Sequence, residues 1–111
     1  MKKVPKDNAF LSPVSHDKQL HKKVYLKKNE VPGILQWATS VLTPGSSISR
    51  HKHEDAVELF QILEGTMHAL VNEEEHLLSE GDLLVVEAAD THAFQNTSKE
   101  PCSFLYTLIK G

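Results

Sequence analysis

Short runs of alternating apolar and polar residues occupy most of the chain, and clusters of turn residues separate them. Alternation with a period of two is typical of β-strands that bury one face. In residues 21–28, Val24 and Leu26 alternate with Lys23 and Lys27, which predicts an edge or surface strand. The sequence "NEVPG" that follows predicts the turn that ends this strand.

The same alternation continues to the end of the chain, without a long helical pattern. Strand patterns occur at residues 34–42, 56–72, 76–88 and 92–111. Gly65 interrupts the second of these, so it predicts two strands or one bent strand. About eight to ten short strands predict an all-β fold, an antiparallel β-sandwich or barrel.

The length of 111 residues predicts one domain with a single core. Hydrophobic residues make up 40% and charged residues 24%, which is typical of a globular protein and excludes a disordered one. We expect residues 1–33 to form a basic N-terminal arm with an edge strand, and residues 34–111 to form the β-barrel domain.

Charge is unevenly distributed along the chain. Residues 1–28 contain eight lysines against Asp7 and Asp17, a net +6, so the remaining residues carry −9 of the total −3. Such an arm is solvated, packs on an acidic surface of its own chain or a partner, or binds nucleic acid. The lysines lack the interleaved pattern of aromatic residues and arginines that is typical of nucleic-acid binding, and Arg50 is the only arginine in the chain. This argues against nucleic acid.

The N-terminus starts with lysines but lacks the apolar stretch of a signal peptide, and no run reaches transmembrane length. Cys102 is the single cysteine, so no internal disulfide can form. We therefore expect a cytoplasmic protein with no membrane partner.

Two histidines separated by one residue stand out within a predicted strand. His51 and His53 would project to the same face of an extended strand, so their imidazoles converge. A hairpin would bring the carboxylate of Glu58 toward this pair, and His92 is the candidate for a third nitrogen donor. Imidazoles with one carboxylate suit Mn, Fe, Co, Ni, Cu or Zn rather than Ca or Mg.

The other histidines do not show this spacing. We expect His16, His21 and His76 to be surface or hydrogen-bonded residues. His68 has the opposite parity from Met67, Ala69 and Val71, so it should face outward if those three fill the core.

Glycines complete two motifs around these residues. The spacing of Gly45, His51, His53, Glu58 and Gly65 resembles the first motif of the cupin superfamily. The spacing of Gly81, His92 and Asn96 resembles the second motif, with Glu87 where the family usually has proline and Ala89 where it usually has glycine. With 15 residues between the motifs, the chain resembles the small single-domain metal-binding cupins.

This resemblance implies a jelly-roll β-barrel that binds one divalent transition metal per chain. It also implies the metal ligands, which are His51, His53, Glu58 and His92. By strand parity, a substrate pocket next to the metal would include Phe60, Met67, Phe94 and Tyr106. Core packing is the competing interpretation of these side chains, although the phenol of Tyr106 would need a partner and could serve as a donor or acid.

Cupins perform many reactions, so the resemblance does not select one. Our first hypothesis is a metal-dependent enzyme that acts on a small organic molecule by oxygenase, isomerase or lyase chemistry. The alternative is a non-catalytic cupin that binds a small ligand through the metal, as a sensor or accessory protein. No catalytic lysine or second carboxylate can be assigned to the barrel interior. We also predict a homodimer, in which the strand at residues 21–28 pairs with the sheet of a second subunit.

Overall fold

A computed structural model describes residues 1–14 and 17–111, and it describes the side chains of residues 1–7, 9 and 22–111. His16 and the side chain of His21 therefore lie outside the described residues. Within the described part of the chain, no helix is long and apolar enough to cross a membrane.

Ten strands follow a short 3₁₀ turn at Lys6–Asn8. They are β1 (Phe10–Val14), β2 (Asp17–Leu26), β3 (Ile34–Leu42), β4 (Ser47–His51), β5 (Ala56–Glu64), β6 (Met67–Val71), β7 (Glu74–Leu78), β8 (Leu83–Val86), β9 (His92–Gln95) and β10 (Cys102–Lys110).

The strands form two antiparallel sheets. One sheet has six strands in the order β1-β2-β3-β10-β5-β8, and the other has four in the order β4-β9-β6-β7. This confirms the predicted antiparallel sandwich of the jelly-roll type. Consecutive strands such as β5 and β6 belong to different sheets, so the two sheets enclose one interior between them.

Alternation along the strands fills this interior with apolar side chains. The core cluster consists of Leu42, Ile48, Phe60, Ile62, Met67, Ala69, Leu78, Val86, Phe94, Cys102 and Phe104. His68 is exposed between buried Met67 and Ala69, as its parity predicts.

Gly65 lies where the chain leaves one sheet for the other. Its φ of +87° is in the left-handed region, and a Cβ there would lie 2.5 Å from the carbonyl oxygen of Pro101. A glycine is therefore required by both backbone conformation and close packing. Of the two alternatives predicted for this segment, the chain forms two separate strands, β5 and β6, and not one bent strand.

The position of β2 differs from the prediction. This strand contains most of residues 21–28 and pairs with β1 on one side and β3 on the other, so β1 occupies the edge. Both sides of β2 are thus paired within the chain, whereas we predicted that this segment pairs with the sheet of a second subunit. The alternation of residues 21–28 predicted a strand correctly but carries no information on its neighbours.

Candidate metal centre

Four side chains converge at one end of the barrel interior. His51, His53, Glu58 and His92 each present a ligand atom, and these atoms all lie within 4.8 Å of one another. Glu58 and His92 are buried, whereas His51 and His53 are half-buried. The four residues predicted as ligands therefore form a group that is able to hold a metal ion.

His51 reaches the interior because of an irregularity in β4. Ile48 pairs with Phe94, and His51 pairs with His92, so β4 contains one more residue than β9 between these two pairs. This bulge changes the parity of the strand. Ile48 and His51 therefore both face the interior, although residues three apart in a regular strand face opposite sides. His53 lies just beyond the end of β4, so the two histidines do not share one regular strand as predicted.

His92 is positioned by a turn at residues 87–90. The N–H of Asp90 donates to the carbonyl of Glu87, and the N–H of Ala89 donates to the carbonyl of His53 at 2.7 Å. Ala89 has a φ of +70°, although it carries a Cβ. The turn thus keeps the backbone conformation that the family motif assigns to glycine, and it ties the segment before His92 to the segment that carries His53.

Backbone carbonyls orient two of the imidazoles. Nδ1 of His51 donates to the carbonyl of Ser49 at 2.9 Å, and Nδ1 of His92 donates to the carbonyl of Asp90 at 3.1 Å. A carbonyl oxygen only accepts, so Nδ1 carries the hydrogen in both rings. Nε2 is consequently the nitrogen with a lone pair that can bind a metal, which is the usual arrangement of metal-binding histidines.

The contacts of Glu58 test whether a metal fits. Nε2 of His92 lies 2.9 Å from Oε1 of Glu58, and Nε2 of His53 lies 3.4 Å from the same oxygen. In a neutral ring with hydrogen on Nδ1, Nε2 of His92 presents a lone pair to the carboxylate. A cation shared by the two groups would stabilise this contact. Metal bonds of about 2.1 Å would place opposite ligands about 4.2 Å apart, close to the size of this group. The residues therefore fit a transition metal.

A cavity of about 30 Å³ lies beside the cluster and is lined by two of its side chains, His51 and Glu58. Its lining consists of Ser40, Ile48, His51, Glu58, Phe60, Phe94, Phe104 and Tyr106. Three of the predicted pocket residues, Phe60, Phe94 and Tyr106, are in this wall, whereas Met67 lies in the core cluster. A cavity of this size favours a ligand of few atoms.

Besides the carboxylate of Glu58, the phenol of Tyr106 is a second acidic group in the wall of this cavity. Burial raises the pKa of Tyr106, and the nearby carboxylate of Glu58 raises it further. The phenol therefore stays protonated at neutral pH and is able to donate a hydrogen bond into the cavity. Its ring stacks on Phe60 with centroids 5.9 Å apart, which limits its movement.

Two polar residues near the site, Asp90 and Lys22, were not identified from the sequence. Asp90 accepts hydrogen bonds from the N–H of Glu87 and from Nδ2 of Asn72, which links the His92 turn to the β6–β7 hairpin. Lys22 lies on the inner face of β2 and donates to Oε1 of Gln36 at 2.9 Å. Lys22 shares its parity with Val24, which is the signal that could have found it.

The remaining polar candidates lie outside the cluster. Glu87 and His76 are exposed, and His76 contacts Glu74 on the same strand. The acidic residues Glu73, Glu74 and Glu75 are also exposed, at and beside the tip of the β6–β7 hairpin.

Comparison with known proteins identifies the family. A sequence profile described as a cupin domain matches residues 38–108, so the chain belongs to the cupin family. An oxalate-binding protein of Thermotoga maritima is 33% identical over 75 residues, which make up 66% of this chain and 60% of that protein. The match thus spans less than two thirds of the relative's length.

Solved structures support the same fold. A Thermotoga maritima protein described as a "predicted oxalate decarboxylase" has a TM-score of 0.88 and 23% identity, covering 99% of this chain and 100% of that chain. A cupin-superfamily sugar phosphate isomerase of Silicibacter pomeroyi has a TM-score of 0.81 and 19% identity, covering 99% of this chain and 76% of that chain. At these identities the comparison establishes the fold and leaves the activity open.

The turn before His92 leads to a prediction about stability. A residue with a Cβ destabilises the folded state by about 1–2 kcal/mol in the left-handed region, and a glycine would remove this strain. Glycine is also more flexible in the unfolded chain, which lowers the free energy of unfolding by about 0.4–1 kcal/mol. We expect Ala89→Gly to increase the free energy of unfolding by about 0–1.6 kcal/mol. Urea denaturation measures this change. Ala88→Gly is the control, because Ala88 has no positive φ, and it should destabilise by about 0.5–1 kcal/mol. Equal effects of the two substitutions would contradict the argument.

The cluster leads to a prediction about metal content. Protein purified without an affinity tag should contain close to one transition metal per chain, measured by elemental analysis. The His51→Ala, His53→Ala variant should lose it, while Glu58→Ala should bind at least roughly tenfold more weakly because three imidazoles remain. The matched control removes two exposed histidines, His68 and His76, and should keep the metal. Unchanged metal in the first variant would remove the assignment.

Proposed function

We propose that this cupin binds a small organic acid of the oxalate class, and that the binding depends on a transition metal held by His51, His53, Glu58 and His92. The observation that carries this proposal is the position of the four side chains beside a small cavity. A similar protein named for oxalate binding supports the same ligand class.

The metal would supply positive charge and Lewis acidity to an oxygen-rich ligand. The chain's own residues supply shape and hydrogen bonding. Phe60 and Phe94 exclude water from the inner end of the cavity, because they are buried and pack with centroids 4.6 Å apart. Ser40 and Tyr106 place hydroxyl groups in the same wall. This arrangement orients a small anion while apolar side chains surround the rest of it.

The size of the cavity favours binding of a compact ligand over a sugar phosphate. Its volume of about 30 Å³ is far below the 300–1,000 Å³ typical of pockets for drug-sized molecules. Larger substrates would require several aromatic side chains to move, and these side chains are packed against one another. The size of the cavity therefore supports a ligand of few atoms, whether the protein only binds it or also converts it.

Tyr106 favours a second candidate, a metal-dependent enzyme that acts on the same class of ligand. Because Tyr106 lies in the cavity wall and its phenol is protonated at neutral pH, it is able to donate a hydrogen bond to a ligand oxygen on which negative charge develops. Oxygenase, isomerase and lyase reactions all include steps that such a donor assists. The metal would polarise a ligand oxygen in any of them.

Binding of oxalate to the metal-loaded protein tests the first proposal. Isothermal titration calorimetry should show saturable binding with one oxalate per chain, and chelation of the metal should abolish it. At a free oxalate concentration of 100 Kd, the free energy of unfolding should rise by about 2.7 kcal/mol. Absence of binding in metal-loaded protein would overturn the proposal.

The fate of ¹³C-oxalate in the same sample separates the two candidates. Oxalate that NMR shows to be unchanged after prolonged incubation supports a binding protein. Conversion that requires the metal supports the enzyme, and Tyr106→Phe should then reduce kcat more than it changes KM.

We also propose that the chain forms a homodimer through the outer face of the six-stranded sheet. Apolar side chains on this face are exposed, among them Trp37, Leu83 and Val85. Trp37 and Val85 lie in one cross-strand row, because Trp37 pairs with Thr107, Thr107 with Leu59 and Leu59 with Val85. A face of this kind is self-complementary in a two-fold dimer.

The mass in solution tests this assembly. Light scattering should give a mass of about twice the 12.4 kDa of one chain. The variant with both Leu83→Lys and Val85→Glu should give the mass of one chain. Leu77→Lys is the matched control, because Leu77 is equally exposed but lies on the other sheet. A monomeric mass for the unmodified protein would exclude the dimer.

A further inference from the structure

Lys22 is a basic side chain on the inner face of the barrel wall. It pairs directly with Ser40 on β3, and residues that pair in this way project to the same face with Cβ atoms about 5 Å apart. Ser40 lines the cavity beside the metal-binding side chains. The Cβ of Lys22 therefore lies next to a residue of the cavity wall, although Lys22 is not part of the four-residue cluster.

The direction of the Lys22 side chain follows from its hydrogen bond. The ammonium donates to Oε1 of Gln36, which shares the inner face of β3 with Ser40 and Ala38. Ala38 is fully buried between these two positions on the same face of β3. An ammonium has three donors, and the bond to Gln36 occupies one of them.

The electrostatics of Lys22 place it in the same environment as Tyr106. Burial lowers the pKa of Lys22, and the carboxylate of Glu58 opposes this shift. The same carboxylate raises the pKa of Tyr106. Lys22 and Tyr106 are thus both within the field of Glu58, one as a cation and the other as a neutral donor.

We propose that Lys22 selects the charge of the ligand, so that the barrel binds small dianions in preference to small monoanions. The inference rests on the proposed function, because it concerns the ligand of the same site. A metal held by the four side chains would attract one part of a small carboxylate, and the Lys22 ammonium attracts the charge that remains. A half-buried cation in a largely apolar wall loses hydration, and a second anionic group of the ligand compensates for that loss.

Oxalate and oxamate provide a matched pair of ligands. Oxamate has nearly the same shape as oxalate, but an amide replaces one carboxylate and the molecule carries a single charge. If the Lys22 ammonium interacts with the second carboxylate, replacement of Lys22 should weaken oxalate binding more than oxamate binding. The ratio of the two affinities is therefore the quantity to measure, since a role in folding alone would not change it.

The experiment titrates both ligands into metal-loaded wild-type protein, Lys22→Met and Lys23→Met. Lys23 is the control because it is on the same strand with the same charge but pairs with Thr39, on the outer face. Lys22→Met should lower oxalate affinity by about 10- to 100-fold and lower the oxalate-to-oxamate ratio by at least roughly tenfold. Lys23→Met should leave the ratio unchanged.

The outcomes separate the two proposals. Metal-loaded wild-type protein that binds neither anion would overturn the proposed function and this inference with it. Wild-type binding with an unchanged ratio in Lys22→Met, or an equal change in Lys23→Met, would overturn the inference alone. Metal content and thermal unfolding check that each variant is intact, and Lys22→Gln replaces Lys22→Met if the latter does not fold.

Discussion

A buried carboxylate meets a buried imidazole at one end of the barrel, and the surrounding structure depends on this contact. Glu58 is 6% exposed and His92 is 1% exposed, with Oε1 and Nε2 only 2.9 Å apart. Burying a charged group in an apolar core is unfavourable unless partners compensate for the lost water. His51 and His53 complete the surroundings of Glu58, and a shared cation is the simplest way to balance the charge of the carboxylate.

Backbone contacts hold the segments that supply these side chains in a fixed relation. His51 and His92 are a cross-strand pair, and the carbonyl of His53 accepts the N–H of Ala89. Ala89 keeps a left-handed conformation without the glycine that would adopt it readily. The tertiary contacts of the turn therefore outweigh the local preference of the residue, and His92 keeps its position although the motif is altered.

The architecture of the barrel is common to many proteins, whereas the chemistry of its interior depends on individual side chains. Many proteins share this barrel, and its apolar wall is mainly a packed core. Polar groups near the cavity include Lys22, Ser40 and Tyr106 beside Glu58. Under the proposed function these side chains would distinguish one ligand from another, whereas the strands beneath them determine only that a cavity exists.

Sequence alone determined the strands, the family and the identity of the clustered residues. In a regular strand the side chains alternate between two faces, so the burial of Phe60, Ile62 and Phe94 could be predicted from spacing. Only the tertiary structure decided how His51 turns inward, because a bulge depends on the pairing between β4 and β9. The location of Lys22 was decided in the same way. Its parity was readable, but β2 became an inner wall of the barrel only through hydrogen bonds with β1 and β3, and such long-range pairing leaves no local pattern.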